Sequence, residues 1–124
     1  MLAPASRLTR SADFTDVVRR GRRASRPLLT VHLLAEPAPG EPDVAPRAGL
    51  VVSKAVGGSV VRSRTSRRLR HLLRDRLGAL PRGARLVVRA SARAGESSSA
   101  ALAVDLDGAL ASARRPRPPS GGRA

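Results

Sequence analysis

The alternation of apolar and polar positions is most regular in residues 53–77, where a short strand leads through Gly57-Gly58 into a helix. At 100° per residue, aliphatic residues and one threonine fall on one half of the helical wheel, and arginines fall on the other. The pattern therefore predicts a helix with one buried face and one basic face. The buried half holds Val61, Thr65, Leu69, Leu72, Leu73 and Leu77, and the basic half holds Arg64, Arg67, Arg70 and Arg74.

A second amphipathic helix is predicted near the N-terminus. Ser11 is a suitable N-cap, and Asp13 then lies in the first turn, where a negative charge is favourable. Gly21 is a natural helix end. The shared apolar face of this helix consists of Phe14, Val17 and Val18.

Three stretches are predicted to be strands, because they are apolar and are bounded by turn residues: residues 28–34, 48–53 and 85–90. With a short strand at residues 23–25 as an open alternative, two or three strands come between the first helix and the basic helix. Residues 36–46, between the strands at 28–34 and 48–53, are rich in proline and acidic residues and predict a solvated hairpin loop.

The C-terminal part of the domain is predicted to form a last helix, with N-caps among residues 97–99. Its apolar stripe consists of Leu102, Leu106, Ala109 and Leu110, whereas Asp105 and Asp107 are expected to face outward. The element order predicts one α+β domain, a sheet with helices packed on it, over residues 1–113. Residues 114–124, RRPRPPSGGRA, are predicted to be a disordered basic tail.

The charge of the chain points to a polyanionic partner. The 124 residues contain 24 Lys and Arg against 9 Asp and Glu, which gives a formal net charge of +15 and a pI of about 12.0. Arginine matches phosphate in bidentate geometry, so nucleic acid is the first expectation. Phe14 is the only aromatic residue, which disfavours a single-strand binder that depends on several stacking platforms.

Two other features of the sequence bear on the cellular compartment of the protein. The chain has no cysteine, which excludes disulfides, thiolate metal sites and cysteine nucleophiles. No apolar run approaches the roughly 20 residues that span a bilayer, and the N-terminus lacks a signal-peptide core. We therefore expect a cytoplasmic protein without a membrane partner.

The residues do not predict a catalytic or metal site within this chain. The two histidines, His32 and His71, have no obvious carboxylate or histidine partner in the sequence, and the acidic residues are too dispersed for a metal cluster. The Gly57-Gly58 turn lacks the glycine-lysine-hydroxyl pattern of a phosphate loop.

The type of nucleic acid is indicated by what precedes the basic helix. A major-groove recognition helix needs a preceding helix and a short turn, whereas here strands come first. A-form RNA is read mainly through phosphate, 2′-hydroxyl and shape, which suits a helix rich in arginine. Two hypotheses follow: a basic structural RNA-binding protein such as a ribosomal protein or RNA chaperone, and a DNA-binding protein.

The run from Lys54 to Arg70, KAVGGSVVRSRTSRRLR, resembles the signature of the bacterial ribonuclease P protein family. That signature is a valine-serine-lysine, a glycine turn, arginine-asparagine-arginine, lysine-arginine and a further arginine. The resemblance covers roughly residues 7–113. Its other parts are Arg7-Leu8, Asp13-Phe14, Gly21-Arg22, residues 47–50 and 86–88, Arg89 and Arg93.

This resemblance implies an αβββαβα two-layer domain like the second domain of a small-subunit ribosomal protein. It also implies a protein subunit of ribonuclease P, the endonuclease that removes the 5′ leader from precursor tRNA, in which the RNA subunit performs the hydrolysis with Mg²⁺. The partners would be that catalytic RNA and the precursor tRNA. The resemblance assigns leader binding to Phe14 and Lys54. The RNA-binding residues would be Arg62, Arg64, Arg67, Arg68 and Arg70, to which the basic helix face adds Arg74.

The sequence departs from the family pattern at several positions. Ser63 stands where the family usually has an asparagine that is linked to metal binding. Ala55 and Ser66 each replace a lysine, and Gly58-Ser59 replaces asparagine-alanine. Val18 stands where a second aromatic residue of the leader cleft is common.

Overall fold

The computed structural model describes residues 6–40 and 43–115. The order of elements in this part of the chain is αβββαβα, which confirms the predicted fold class. The elements are α1 (Ser11–Arg20), β1 (Arg22–Ser25), β2 (Leu29–Leu34), β3 (Arg47–Val51), α2 (Ser59–Arg74), β4 (Arg85–Ala90) and α3 (Ser99–Arg114), with short 3₁₀ turns at Lys54–Val56, Leu77–Ala79 and Ala92–Glu96.

The four strands form one sheet in the order β1-β2-β4-β3. The β1–β2 and β2–β4 pairs are antiparallel, whereas β3 and β4 are parallel and are connected through α2. The predicted hairpin at residues 36–46 is therefore wrong, since β4 lies between β2 and β3. The reason is that β4 is apolar on both faces: Leu86, Val87 and Val88 are all fully buried, which favours a central position.

One face of the sheet packs against α2 and α3. Side chains that alternate along the strands, among them Val31, Leu33 and Leu86, point into this core. Most of both predicted apolar stripes is buried here, whereas Val61 and Leu72 of the predicted α2 stripe are only partly buried. From the helices the core receives Leu69, Leu73, Leu102, Leu106, Ala109 and Leu110, and Thr65 is buried beside them.

The opposite face carries α1 over only part of its area. Val17 of α1 packs with Leu8, Leu34 and Val87 in a second, smaller core. The helix ends at Gly21 as predicted, where an added Cβ would lie 2.5 Å from the carbonyl oxygen of Val17. Because the backbone approaches this position so closely, only glycine fits there.

Several details at the helix ends differ from the predictions. Ser11 is the first residue of α1 and not its N-cap, because Arg10 holds the extended cap position. The helix α2 ends at Arg74, and Leu77 is buried from the following 3₁₀ turn. The N-cap of α3 is Ser98, whose side chain accepts a hydrogen bond from the backbone of Ala101, as the sequence predicts.

The expectation that both aspartates of α3 face solvent is wrong for Asp105. Its carboxylate accepts a hydrogen bond of 2.9 Å from the backbone N–H of Leu28, because the turn before β2 packs against α3. Asp107 is more than half exposed but pairs with Arg76 at 2.6 Å. Arg114 and Arg115, which were predicted to begin the tail, are the last residue and the C-cap of α3, and the predicted tail from 116 onward lies outside the described residues. No helix in the described ranges is long and apolar enough to cross a membrane.

Candidate nucleic-acid interface

The turn into α2 sets the direction of the basic helix. Gly57 has a φ of 151°, a conformation that side chains with a Cβ rarely adopt. The side chain of Ser53 accepts a hydrogen bond from the backbone N–H of Ala55 at 3.3 Å and steadies the preceding 3₁₀ turn. Lys54 lies in this turn and is exposed.

The arginines of α2 divide into two groups by what their guanidinium groups contact. Arg64 donates to the carbonyl oxygen of Gly95 at 3.0 Å, and Arg68 donates to that of Ser97 at 2.7 Å. These two half-buried residues tie α2 to the segment before α3. Arg67 and Arg74 are exposed. Two arginines of the helix, Arg64 and Arg68, therefore stabilise the fold, whether or not they also bind a ligand.

The outward side of α2 is concave. One cavity of about 380 Å³ is lined by Ser63, Arg67, Arg70 and His71, and a neighbouring cavity of about 340 Å³ shares Ser63 and Arg67 with it. The α2 surface, as we name it, consists of Ser59, Val60, Ser63, Arg67, Arg70 and His71. Of the predicted RNA-binding arginines, Arg67 and Arg70 belong to this surface. Arg64 lines the smaller cavity at its edge. The remaining three line neither cavity: Arg62, Arg68 and Arg74.

A second concave site lies on the part of the sheet that α1 leaves uncovered. This sheet cleft has a volume of about 520 Å³. In the sheet, Arg23 is the register partner of His32, and Thr30 is the partner of Arg89, so two guanidinium groups flank a polar floor. The lining residues are Val18, Arg23, Thr30, His32, Arg89, Ala90 and Ser91.

His32 forms part of the floor of the sheet cleft. Its side chain is only 5% exposed, and its Nδ1 has no hydrogen-bond partner in the structure. Burial lowers the pKa of His32 below its ordinary value, and the charges of Arg89 and Arg23 lower it further. A neutral imidazole with an unused ring nitrogen therefore lies in a positively charged cleft.

Sequence reasoning assigned His32 only a structural role and so missed its place in the cleft. A signal was present in β2, where polar Thr30 and His32 alternate with apolar Val31 and Leu33. That alternation indicates a strand with one polar face.

Neither of the two predicted leader-binding residues lines the cavity of the sheet cleft. Phe14 is half-buried, and its ring covers Gly49 so closely that an added Cβ there would lie 2.3 Å from the ring Cζ. Gly49 and His32 are both register partners of Val87, so the ring of Phe14 lies over the same cross-strand row of residues that contains His32. Lys54 follows the end of β3 by three residues.

A buried ion-pair network, which the sequence did not indicate, holds α1 in place. Arg85 of β4 has a side chain that is 3% exposed, and it contacts carboxylate oxygens of Asp13 and Asp16 at 3.0 Å each. Burial alone would raise the pKa of Asp16, but hydrogen bonds from Arg20 and Arg85 lower it below its ordinary value overall. The network fixes the helix that forms one wall of the sheet cleft.

Within residues 6–40 and 43–115, no three His, Cys, Asp or Glu side chains come together in an arrangement that could hold a metal ion.

Comparison with known proteins adds to this geometry. The family model for ribonuclease P matches residues 2–114. A ribonuclease P protein component from Streptomyces avermitilis is 58% identical over 114 residues, covering 89% of this chain and 93% of that protein. One from Thermobifida fusca is 50% identical over 120 residues, covering 94% and 82%. The solved RNase P protein of Staphylococcus aureus superposes with a TM-score of 0.75 over 88% of this chain and 95% of its own, at 21% identity, a level that bears on the fold alone.

Proposed function

The chain belongs to the ribonuclease P protein family, and on that premise we propose that it is the non-catalytic subunit of the ribonucleoprotein that removes the 5′ leader from precursor tRNA. The observation that supports this most is the presence of two separate arginine-lined concave surfaces in one small domain. Two such surfaces suit a protein that holds an RNA enzyme and its RNA substrate at the same time.

We assign the α2 surface to the catalytic RNA. The helix has 16 residues and so presents about 24 Å of rigid surface. Arginines on a straight helix contact phosphates of a folded RNA without reading the deep groove of its A-form helices. Arg67 and Arg70 supply the central contacts, Arg62 and Arg74 extend them, and the half-buried Arg64 and Arg68 add charge at the edge.

We assign the sheet cleft to the single-stranded leader. Arg23 and Arg89 would pair with its phosphates, while the polar floor would face the bases. Phe14 offers one stacking surface beside the cleft, and Lys54 adds a positive charge near the end of β3. Val18 provides an aliphatic contact at the wall of the sheet cleft, at the position where an aromatic side chain would stack on a base.

The hydrolysis belongs, in this proposal, to the RNA subunit, with Mg²⁺ held mainly by that RNA. The contribution of the protein is to bind and align, which requires no catalytic side chain. A role in the maturation of tRNA precursors would place the protein in the cytoplasm.

The test is a cleavage assay with purified components. Rigorously RNA-free protein should leave precursor tRNA intact, and addition of the cognate catalytic RNA at modest salt with Mg²⁺ should give cleavage at the junction of leader and mature tRNA. The catalytic RNA without protein is the control, and it should bind the precursor more weakly. Site-specific cleavage by the protein alone would overturn the proposal.

Sequencing the RNA that copurifies with the protein tests the alternative. One dominant structured RNA with processing activity supports the ribonuclease P subunit. Predominantly ribosomal RNA would instead support a basic structural RNA-binding protein.

A further inference from the structure

A third concentration of positive charge lies where the ends of α1 and α3 meet the start of β1. Four arginines from these three elements line one cavity of about 610 Å³. We name them the end cluster: Arg20, Arg22, Arg114 and Arg115. Leu33 and Leu34 at the end of β2 line the same cavity, whereas Thr30 and His32 of that strand line the sheet cleft, and the two cavities share no lining residue.

Little in the protein neutralises the end cluster. Arg20 pairs with Asp16 at 3.0 Å, and Glu36 is the one acidic residue that lines the cavity. None of the ion pairs that the structure shows among the described residues includes the other three arginines. Like charges held together on a folded surface repel each other, which favours the binding of an anion.

The cluster is also held together by the fold. A guanidinium nitrogen of Arg22 donates a hydrogen bond to the backbone carbonyl of Arg115, which joins the start of β1 to the end of α3. The backbone positions that carry these arginines are therefore held beside each other before any ligand arrives, and this lowers the entropy cost of binding.

Neither composition nor the helix ends account for the arrangement. Positive charges are favoured at the C-terminal end of a helix, which explains Arg20, Arg114 and the C-cap Arg115, but Arg22 belongs to β1. The chain has no basic residue between Arg93 and Arg114, so arginines are not spread evenly over α3.

We propose that the end cluster binds phosphate groups of RNA, as a contact separate from the α2 surface and the sheet cleft. This rests on the RNA partner of the proposed function. Guanidinium groups bind phosphate in bidentate geometry, and the cavity has no aromatic residue on which a base could stack, so the contact recognises the backbone and not the sequence. Two sources of phosphate fit equally, the catalytic RNA and the precursor tRNA.

The experiment is salt-titrated binding of the full-length Arg114→Gln/Arg115→Gln variant. One arm uses the catalytic RNA alone, and the other uses precursor tRNA presented to the assembled holoenzyme. The matched control is Ala100→Glu/Val104→Glu, which lowers the net charge by the same two units at exposed positions of α3, roughly 15 Å or more away. Circular dichroism and melting establish that each variant is folded.

The arginine variant should bind one of the two RNAs more weakly than the control does, with a salt dependence of log affinity flatter by about one to two units. The arm that responds identifies the source of the phosphate. Arg114→Lys/Arg115→Lys, which keeps the charge, should restore the slope. If the glutamine variant matches the control in both arms while the wild type is active with the catalytic RNA, the end cluster is not an RNA contact and the proposed function stands. If the wild type binds neither RNA, both proposals fall.

Discussion

At the scale of single residues, arginines that look alike in the sequence have different roles in the structure. The guanidinium of Arg85 is buried between two carboxylates, and those of Arg64 and Arg68 bind backbone carbonyls. Arg67 and Arg89 are exposed at the two proposed RNA sites. The difference depends on what each guanidinium contacts, and it decides whether a substitution affects folding or binding.

His32 should make the stability of the protein depend on pH. Because its pKa is lowered in the folded state, the unfolded chain binds more protons as the pH falls below the ordinary value of 6.5. The wild type should therefore lose free energy of unfolding relative to His32→Gln between pH 7 and pH 5. The measurement is urea unfolding across that range. An identical pH dependence of the wild type and His32→Gln would contradict the environment described for His32.

Gly49 and Phe14 should act as one unit in leader binding. In Gly49→Ala the new Cβ would displace the ring of Phe14, which lies at the far end of a flexible side chain, so the strand should keep its conformation. Both Gly49→Ala and Phe14→Ala should weaken binding of leader-bearing precursor relative to mature tRNA, by up to the roughly 1–3 kcal/mol typical of a stacked base.

The control for this pair is Gly78→Ala, where an added Cβ meets no atom within 4 Å. It should leave the discrimination between precursor and mature tRNA unchanged. Equal losses for both RNAs in the Phe14 variant, together with a lower melting temperature, would show that the ring serves only packing.

At the scale of elements, α1 and α2 are held by different means. The sheet face under α1 has only a small core, and the buried contacts of Arg85 with Asp13 and Asp16 supplement it. In contrast, α2 is held by a continuous apolar stripe, and its arginines reach outward or sideways. The placement of α1, and with it the width of the sheet cleft, therefore depends on charge pairing.

Arg85→Met should destabilise the protein strongly, because it leaves the largely buried Asp13 carboxylate without its cation. Removing one partner of a buried pair typically costs about 3–5 kcal/mol. Arg85→Met/Asp13→Asn should recover part of that loss. Arg20→Met, which removes an ion pair with a half-exposed arginine, should cost no more than about 1 kcal/mol. Denaturant unfolding of the three variants is the measurement, and equal losses for Arg85→Met and Arg20→Met would contradict the role of burial.

The two sides of α2 should respond oppositely to substitution. Arg67→Gln/Arg70→Gln should keep the circular dichroism and melting of the wild type, but should flatten the salt dependence of binding to the catalytic RNA by about one to two units. Leu69→Ala, at a fully buried site, should cost about 2–5 kcal/mol of stability. Leu72→Ala should cost less, since that side chain is only half-buried.

Thermal melting and salt-titrated RNA binding of these variants test the assignment together. If the arginine variant unfolds, or binds with an unchanged slope, the α2 surface is not the RNA-binding side of the helix.

At the scale of the whole molecule, the net charge of +15 opposes the compact state of the free protein. Salt screens this repulsion over a Debye length of about 8 Å at 0.15 M, whereas the same salt weakens contacts with RNA phosphate. The melting temperature of the free protein should therefore rise between low and physiological concentrations of sodium chloride, while affinity for RNA falls. Ala100→Glu/Val104→Glu, with two fewer net charges, should show a smaller rise. A melting temperature that falls with salt would contradict this account.

The sequence by itself determined the elements and the family. Helix and strand periodicities, the glycine turn and a serine cap among residues 97–99 are local features, so they are readable from neighbouring residues. They predicted a helix, two or three strands, a helix, a strand and a helix, and the family resemblance completed the order αβββαβα. The basic side of α2 was visible for the same reason, since a helix repeats every 3.6 residues. The resemblance to ribonuclease P proteins rested on a contiguous run of residues.

The tertiary structure alone decided the strand order, the sheet cleft and the end cluster. The insertion of β4 between β2 and β3 depends on which strand is buried on both faces, and the predicted hairpin was wrong for that reason. Arg23 and Arg89, like Arg22 and Arg115, are far apart in the chain and meet only because the sheet and the helix ends bring them together. No local sequence pattern predicts that these residues lie close together, because their proximity depends on how several elements pack against one core.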